Sequence, residues 1–328
     1  MYDINVTSSK TFEINDNKQH LLLDRYVSLS VAQQLVAKLS DAKHQYLEFD
    51  GLVHRYSQPI VPDIVHQIMF TIHEIQFIHY ISLLSVLKNH RPAVIVIHCD
   101  CNRLTGHYYE RLIRRIAYTN TTLILREIKK PTHIFGKPLS RRFRDYHAGD
   151  ITRITVLSQF GGIYFDNDIY VVKSLHEFRN YEMTFQLTFK DSKPSVGPQA
   201  MIVHRNARFL KIWIDSFHDY RADSWFYTGG ELPGKLAQKN RNIINVISGT
   251  SFGCSSEVCP KLYAMYYPEW ERDYYTIHTY IRSNYFYHHG WCMHGYHTDV
   301  LYYNETIVET VNNTFADMCR KILHWESN

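Results

Sequence analysis

No run in this 328-residue chain approaches the roughly 18 consecutive apolar residues that a membrane-spanning helix needs. Its opening stretch, MYDINVTSSKTFEIND, lacks the apolar segment of a signal peptide. A dense basic stripe is missing too. The net charge is +4, so nucleic-acid binding as the main role is excluded. Internal repeats, low-complexity tracts and an evident linker are absent, which favours one main domain over a solenoid or a string of modules.

What the chain does have is an ordinary core composition, 45% hydrophobic and 21% charged, with a surplus of flat amphipathic side chains: 25 Tyr, 17 Phe and 20 His. Such rings suit sugar or nucleotide surfaces and pack cores equally well. Glycosylation sequons begin at Asn5, Asn120, Asn304 and Asn312, and the six cysteines form an even set. Both point to a secretory lumen such as the Golgi, with the signal or anchor then expected outside this chain. The N-terminus points to a cytoplasmic alternative. Cys254 and Cys259 close a short loop that a disulfide would staple, whereas Cys99 and Cys101 are expected to pair elsewhere than with each other.

The apolar spacing of residues 21–39 predicts an amphipathic helix within a lead-in of residues 1–57, and residues 58–328 form the expected main domain. There, predicted strands at 60–70, 93–100 and 121–128 alternate with helices at 77–90 and 108–117. A further helix over 150–160 precedes a strand beginning at Gly161-Gly162. Strands at 183–189 and 199–204 and a helix over 208–220 follow. This alternation predicts an α/β fold with a mainly parallel central sheet flanked by helices, whose ligands bind beyond the carboxyl ends of the strands.

At that edge lies GGIYFDNDIY, residues 161–170, an apolar strand ending on Asp166 and Asp168. Residues two apart in a strand share a side, so extended geometry would turn both carboxylates to one ligand. Two oxygen ligands with room for water and phosphate suit Mg²⁺ or Mn²⁺. A glycosidase-type acid pair is disfavoured, because its two carboxyl groups stand about 5 Å or more apart across a sugar. An isolated D-x-D is weak evidence, and a polar turn would look the same.

The context is more specific. The stretch AGDITRITVLSQFGGIYFDNDIYVVKSL, residues 148–175, resembles the signature of the DXD-containing glycosyltransferases of the GT-A fold, a Rossmann-like architecture. The similar groups include initiating mannosyltransferases, α1,4-galactosyl- and α1,4-N-acetylglucosaminyltransferases, and clostridial glucosylating toxins. Asp150, Arg153, Phe160, Gly161, Gly162, Tyr164, Asp166 and Asp168 match in order and spacing, and VPDIVHQIMF (61–70) echoes the opening strand of these enzymes. The resemblance implies transfer of a hexose or N-acetylhexosamine from a nucleotide-sugar, UDP-linked or GDP-linked, to a glycan, glycolipid or protein, with retention and with Mn²⁺ or Mg²⁺.

It also implies roles. Asp168 would bind the metal directly, and Asp166 the ribose or the metal's water shell. Asp150, Arg153 and Tyr164 would form the donor site, with Arg153 stabilising the departing diphosphate. His66 matches a family histidine but reads equally as a core residue. Met69 stands where these enzymes stack a Trp on the nucleobase. Gln199 is the candidate amide for the donor sugar. His294, with His297 as fallback, would complete the metal shell. The His cluster at 288–297 has zinc binding as an alternative. The glycines of WFYTGGELPGKLA (225–237) resemble a loop preceding the acceptor side, and RRFR (141–144) is a solvated face or a diphosphate contact. No role attaches to Asn167. A catalytically silent carbohydrate or nucleotide binder on the same fold is the competing reading, suggested by Met69.

Overall fold

The computed structural model describes residues 47–190, 192–247, 251–253, 258–280 and 302–327, together with Arg25, Tyr26 and Gln34. Its principal elements, in chain order, are β1 (Arg25–Tyr26), β2 (Ile64–Met69), α1 (Phe77–Ser85), β3 (Val94–Cys99), α2 (His107–Ile116), β4 (Thr122–Glu127), α3 (Arg144–Phe160), β5 (Gly162–Phe165) and β6 (Ile169–Val171). These are followed by β7 (Met183–Lys190), β8 (Lys193–Val203), α4 (Arg208–Ser216), α5 (Leu232–Lys239), β9 (Asn245–Ile247), β10 (Thr276–His278) and α6 (Thr314–Ser327).

Eight strands form the main sheet in the order β1-β4-β3-β2-β5-β8-β7-β9. All pairings are parallel except those of β8, which runs against both β5 and β7. This is the mainly parallel, helix-flanked sheet expected from the alternation of elements. Every residue of β2 and β3 is buried, as strands covered on both faces require. One face sets Ile64, Val94, Val96 and Ile124 against Val156 and Phe160 of α3. The opposite face sets Val65, Ile95, Ile97 and Leu125 against Leu84 of α1 and Leu112 of α2.

The chain leaves α3 through Gly161 and Gly162, both at positive φ. A Cβ on Gly162 would lie 2.7 Å from the Ile64 carbonyl oxygen and 3.0 Å from the His66 ring, so the glycine pair lets β5 dock tightly beside β2. Beyond β5 the chain enters a separate two-stranded sheet, β6 against β10.

Three local expectations change. Arg25 and Tyr26, inside the stretch read as a helix, are strand residues that extend the sheet beside β4. At these two positions pairing with the open edge of β4 replaces the expected helix, Gln34 is helical, and the rest of the stretch lies outside the described residues. Cys99 and Cys101 are joined to each other, because the chain bends directly after β3 and brings their Cα atoms to 5.2 Å. Residues 227–239 are helical, a π turn over Tyr227–Glu231 running into α5, rather than an open loop. Cys254, the expected partner of Cys259, lies outside the described residues.

Candidate functional site

Helix α3 presents Asp150 and Arg153 one turn apart at the carboxyl edge of the sheet, where β5 also ends. Arg153 is the hub. Its guanidinium lies 3.2 Å from Asp150 Oδ1 and 3.3 Å from Asp166 Oδ1, and it donates to the Pro198 carbonyl at 3.0 Å. Tyr164 sits beneath it, with its ring centroid 4.9 Å from the guanidinium carbon, and donates its hydroxyl to Asp166 Oδ1 at 2.7 Å. Burial opposes the charge on Arg153, but Asp166 and Asp150 outweigh that penalty and raise its pKa. Asp150 goes the other way. Burial lifts its carboxyl to about 6 against the pull of Arg153, and Asp166 adds to the rise.

A bulge in β8 completes this wall. The register against β7 jumps between Gly197 and Met201, while Ala200 and Met201 remain paired with Phe165 and Tyr164 of β5. The displaced residues supply the Pro198 carbonyl to Arg153 and the Gln199 carbonyl to the Asp166 amide, at 2.9 Å. The Gln199 side chain is buried, donates to the Phe252 carbonyl at 3.3 Å and leaves its Oε1 without a hydrogen bond.

Strand β5 ends at Phe165, so Asp166, Asn167 and Asp168 form a turn instead of extended chain. The carboxylates converge through this turn and not through strand periodicity. Asn167 donates to the Ile68 carbonyl at 3.4 Å, tying the turn to the end of β2. Asp168 is held from the opposite side. Its carbonyl accepts from the Thr279 amide at 3.1 Å and hydroxyl at 2.8 Å, and its Oδ1 lies 3.1 Å from His278 Nε2. Antiparallel pairing of β10 with β6 sets His278 opposite Ile169, beside Asp168. Ligand atoms of Asp166, Asp168 and His278 all fall within 4.8 Å of one another. This geometry fits one cation.

Asp150, Arg153, Tyr164, Asp166, Asp168 and Gln199 thus come together, and His66 and Met69 do not join them. His66 is 1% exposed, with one ring nitrogen 3.1 Å from His98 Nε2 and the other 2.9 Å from the Gly161 carbonyl. Burial lowers its pKa to about 4, so it is a neutral core residue with both nitrogens engaged. Met69 is fully buried within the core and offers no face for stacking. Arg141, Arg142 and Arg144 are exposed. His294 and His297 lie outside the described residues.

Two histidines escaped the sequence reading. His278 stands in YYTIHTY, where alternation marks a strand, but one His among 20 carries no label. His79, on the first turn of α1, is close enough to Asp168 for the carboxylate to favour its charge, although burial dominates and lowers its pKa to about 4. A second set of convergent ligand atoms, from Asp63, His90 and His176, lies where β2 and β3 begin, at the opposite end of the strands. Arg179 already fills the cationic position there, 3.5 Å from Asp63 Oδ1 and 3.0 Å from His176 Nδ1.

The family model described as a glycosyltransferase sugar-binding region containing a DXD motif matches residues 7–185, more than half of the chain. The chain is 28% identical over 208 residues to Glucan organizing enzyme 1 of Cryptococcus neoformans, covering 59% of this chain and 54% of that protein. It is 27% identical over 193 residues to an uncharacterized protein of Arabidopsis thaliana, covering 53% and 29%. The chain thus spans about half or less of the length of these curated relatives. Among solved structures, the galactosyltransferase LgtC with donor and acceptor sugar analogues is similar at 10% identity and a TM-score of 0.39, over 66% of this chain and 86% of that one. The glycosyltransferase GlyE of Streptococcus pneumoniae is similar at 10% identity and a TM-score of 0.38, over 59% and 47%.

Proposed function

The chain belongs to the family of glycosyltransferase sugar-binding regions containing a DXD motif, and from that premise we propose that it is a metal-dependent, retaining glycosyltransferase. It transfers a hexose or N-acetylhexosamine from a nucleotide-sugar, UDP-linked in the first instance and GDP-linked otherwise, to a glycan, glycolipid or protein acceptor. The observation that carries the reading is the convergence of Asp166, Asp168 and His278 beside the Asp150–Arg153–Asp166 network.

Two carboxylates and one imidazole suit Mn²⁺, or Mg²⁺, with coordination positions left for water and phosphate oxygens. Asp168 and His278 would hold the ion, with Asp166 beside them. When bound, such an ion neutralises charge on a diphosphate leaving group. Among the described residues His278 is the imidazole that would join the two carboxylates, and His294, the histidine expected there, lies outside them.

The protein's own groups do the rest. Arg153, held ionised by its carboxylates, directs positive charge at the edge where a leaving diphosphate gains negative charge. Asp150 and Gln199 Oε1 are acceptors for donor hydroxyls, and Tyr164 and the β8 bulge fix Asp166 and Arg153 in place. Attack by the acceptor hydroxyl on the face the leaving group vacates belongs to the same proposal. A secretory lumen belongs to the same proposal, supported by the Cys99–Cys101 link and by exposed Asn120.

Calorimetry of Mn²⁺ with UDP and with GDP tests the metal site. Binding that needs Mn²⁺ and weakens in His278→Ala is the expected result, and nucleotide binding indifferent to both would refute the assignment. Burial of Met69 favours one competing reading, a binder that has lost nucleobase stacking and turnover. That reading predicts Mn²⁺-dependent nucleotide binding with no donor hydrolysis across a panel of nucleotide-sugars.

A further inference from the structure

Residues 225–237 contain three glycines, Gly229, Gly230 and Gly234, and all three are buried. None adopts the positive φ that would demand glycine, so each is there for the room it leaves. What fills that room differs. A Cβ on Gly234 would lie 2.5 Å from the Pro194 carbonyl oxygen and from Ser195 Cα, both backbone atoms. One on Gly230 would run into the Phe226 ring. For Gly229 the three nearest atoms all belong to the Asp150 carboxyl group, with Oδ2 at 2.4 Å, Cγ at 2.7 Å and Oδ1 at 3.0 Å.

The π turn over Tyr227–Glu231 therefore closes most tightly on Asp150 Oδ2, while Arg153 approaches Oδ1. We propose that Gly229 is a positioning residue of the donor-sugar site: its bare backbone holds the Asp150 carboxylate against Arg153, and any side chain there drives the carboxylate off. The inference rests on the reading of Asp150 as a donor contact. Arg153 keeps Asp166 as its second ion partner when Asp150 is displaced, so the DXD turn stays in place. The group that must move is the free end of a side chain rather than backbone. Gly229→Ala is therefore expected to fold with an unfolding midpoint near that of the wild type, unlike Gly234→Ala.

Affinities for UDP, UDP-glucose, GDP and GDP-mannose are measured by calorimetry with Mn²⁺ for the wild type, Gly229→Ala, Asp150→Ala and the double variant. Gly229→Ala is expected to lower nucleotide-sugar affinity about tenfold while leaving free-nucleotide affinity unchanged, and the double variant to be no worse than Asp150→Ala. Additive losses, or equal losses on nucleotide and nucleotide-sugar, would overturn the proposal. If Asp150→Ala alone leaves nucleotide-sugar affinity intact, the donor-contact reading fails instead. The same four proteins compared by urea unfolding still test the positioning without any ligand. The small effect of Gly229→Ala should vanish when Asp150 is Ala, and an effect of the same size in both backgrounds would sink it.

Discussion

Asp150→Asn should make the protein more stable, and by an amount that grows with pH. Burial raises the Asp150 carboxyl from its ordinary 3.8 to about 6, in spite of Arg153. A carboxyl with a raised folded pKa stays protonated in the fold at pH values where the unfolded chain has already lost the proton. Stability is therefore greatest below about pH 4 and falls as the pH climbs through 6. At about 1.4 kcal/mol per pH unit, the rise corresponds to about 3 kcal/mol at pH 8. Asparagine keeps the shape and leaves an oxygen for Arg153, which retains Asp166 as its ion partner. The gain of Asp150→Asn should reach about 3 kcal/mol at pH 8, about half that at pH 5, and about a fifth of it at pH 4. In a chain of this size that is a rise of about 5 °C in the unfolding midpoint at pH 8. Urea unfolding in EDTA at pH 5 and pH 8, with thermal scans alongside, measures it. A loss of stability at pH 8, or a gain of equal size at both pH values, would refute the buried-carboxylate argument. The same variant should lose activity, as expected where stability is given up for function.

His278→Ala should weaken Mn²⁺-dependent nucleotide binding by at least about tenfold and leave the fold intact, as calorimetry and circular dichroism would report. Trp213 is 1% exposed and packs against Phe185 and Phe209, so Trp213→Ala should lower unfolding free energy by about 3–5 kcal/mol in urea titration. Gly234→Ala sets a methyl group against the backbone of β8 and should destabilise by about 1–3 kcal/mol, read in the same titration.

The sheet was legible because its strands are short, largely apolar runs and helices such as α2 have one buried stripe: β2, β3 and β4 fall within a few residues of where the pattern puts them. Asp150, Arg153, Asp166 and Asp168 were legible because they lie within 19 residues of one another in a single helix–strand unit. Tertiary pairing hid the rest. His278 reaches Asp168 only through the β6–β10 ladder, which joins residues more than 100 apart in sequence, and nothing local marks that partnership. His66 stayed open between core and donor roles because position on a central strand does not reveal which face a ring takes; here one ring nitrogen meets the Gly161 carbonyl. The glycines at 229–234 look like a flexible loop in sequence, and their purpose appears only with Asp150, Phe226 and β8 packed around them.

The central claim is that Asp168 holds a divalent cation on which sugar transfer depends. The most direct measurement is the hydrolysis rate of a panel of UDP- and GDP-sugars by the wild type with Mn²⁺, the wild type with EDTA, and Asp168→Asn with Mn²⁺. The expected result is turnover of at least one donor in the first sample only, with unfolding midpoints showing that the variant is folded. Turnover that persists in EDTA, or in Asp168→Asn, would contradict it.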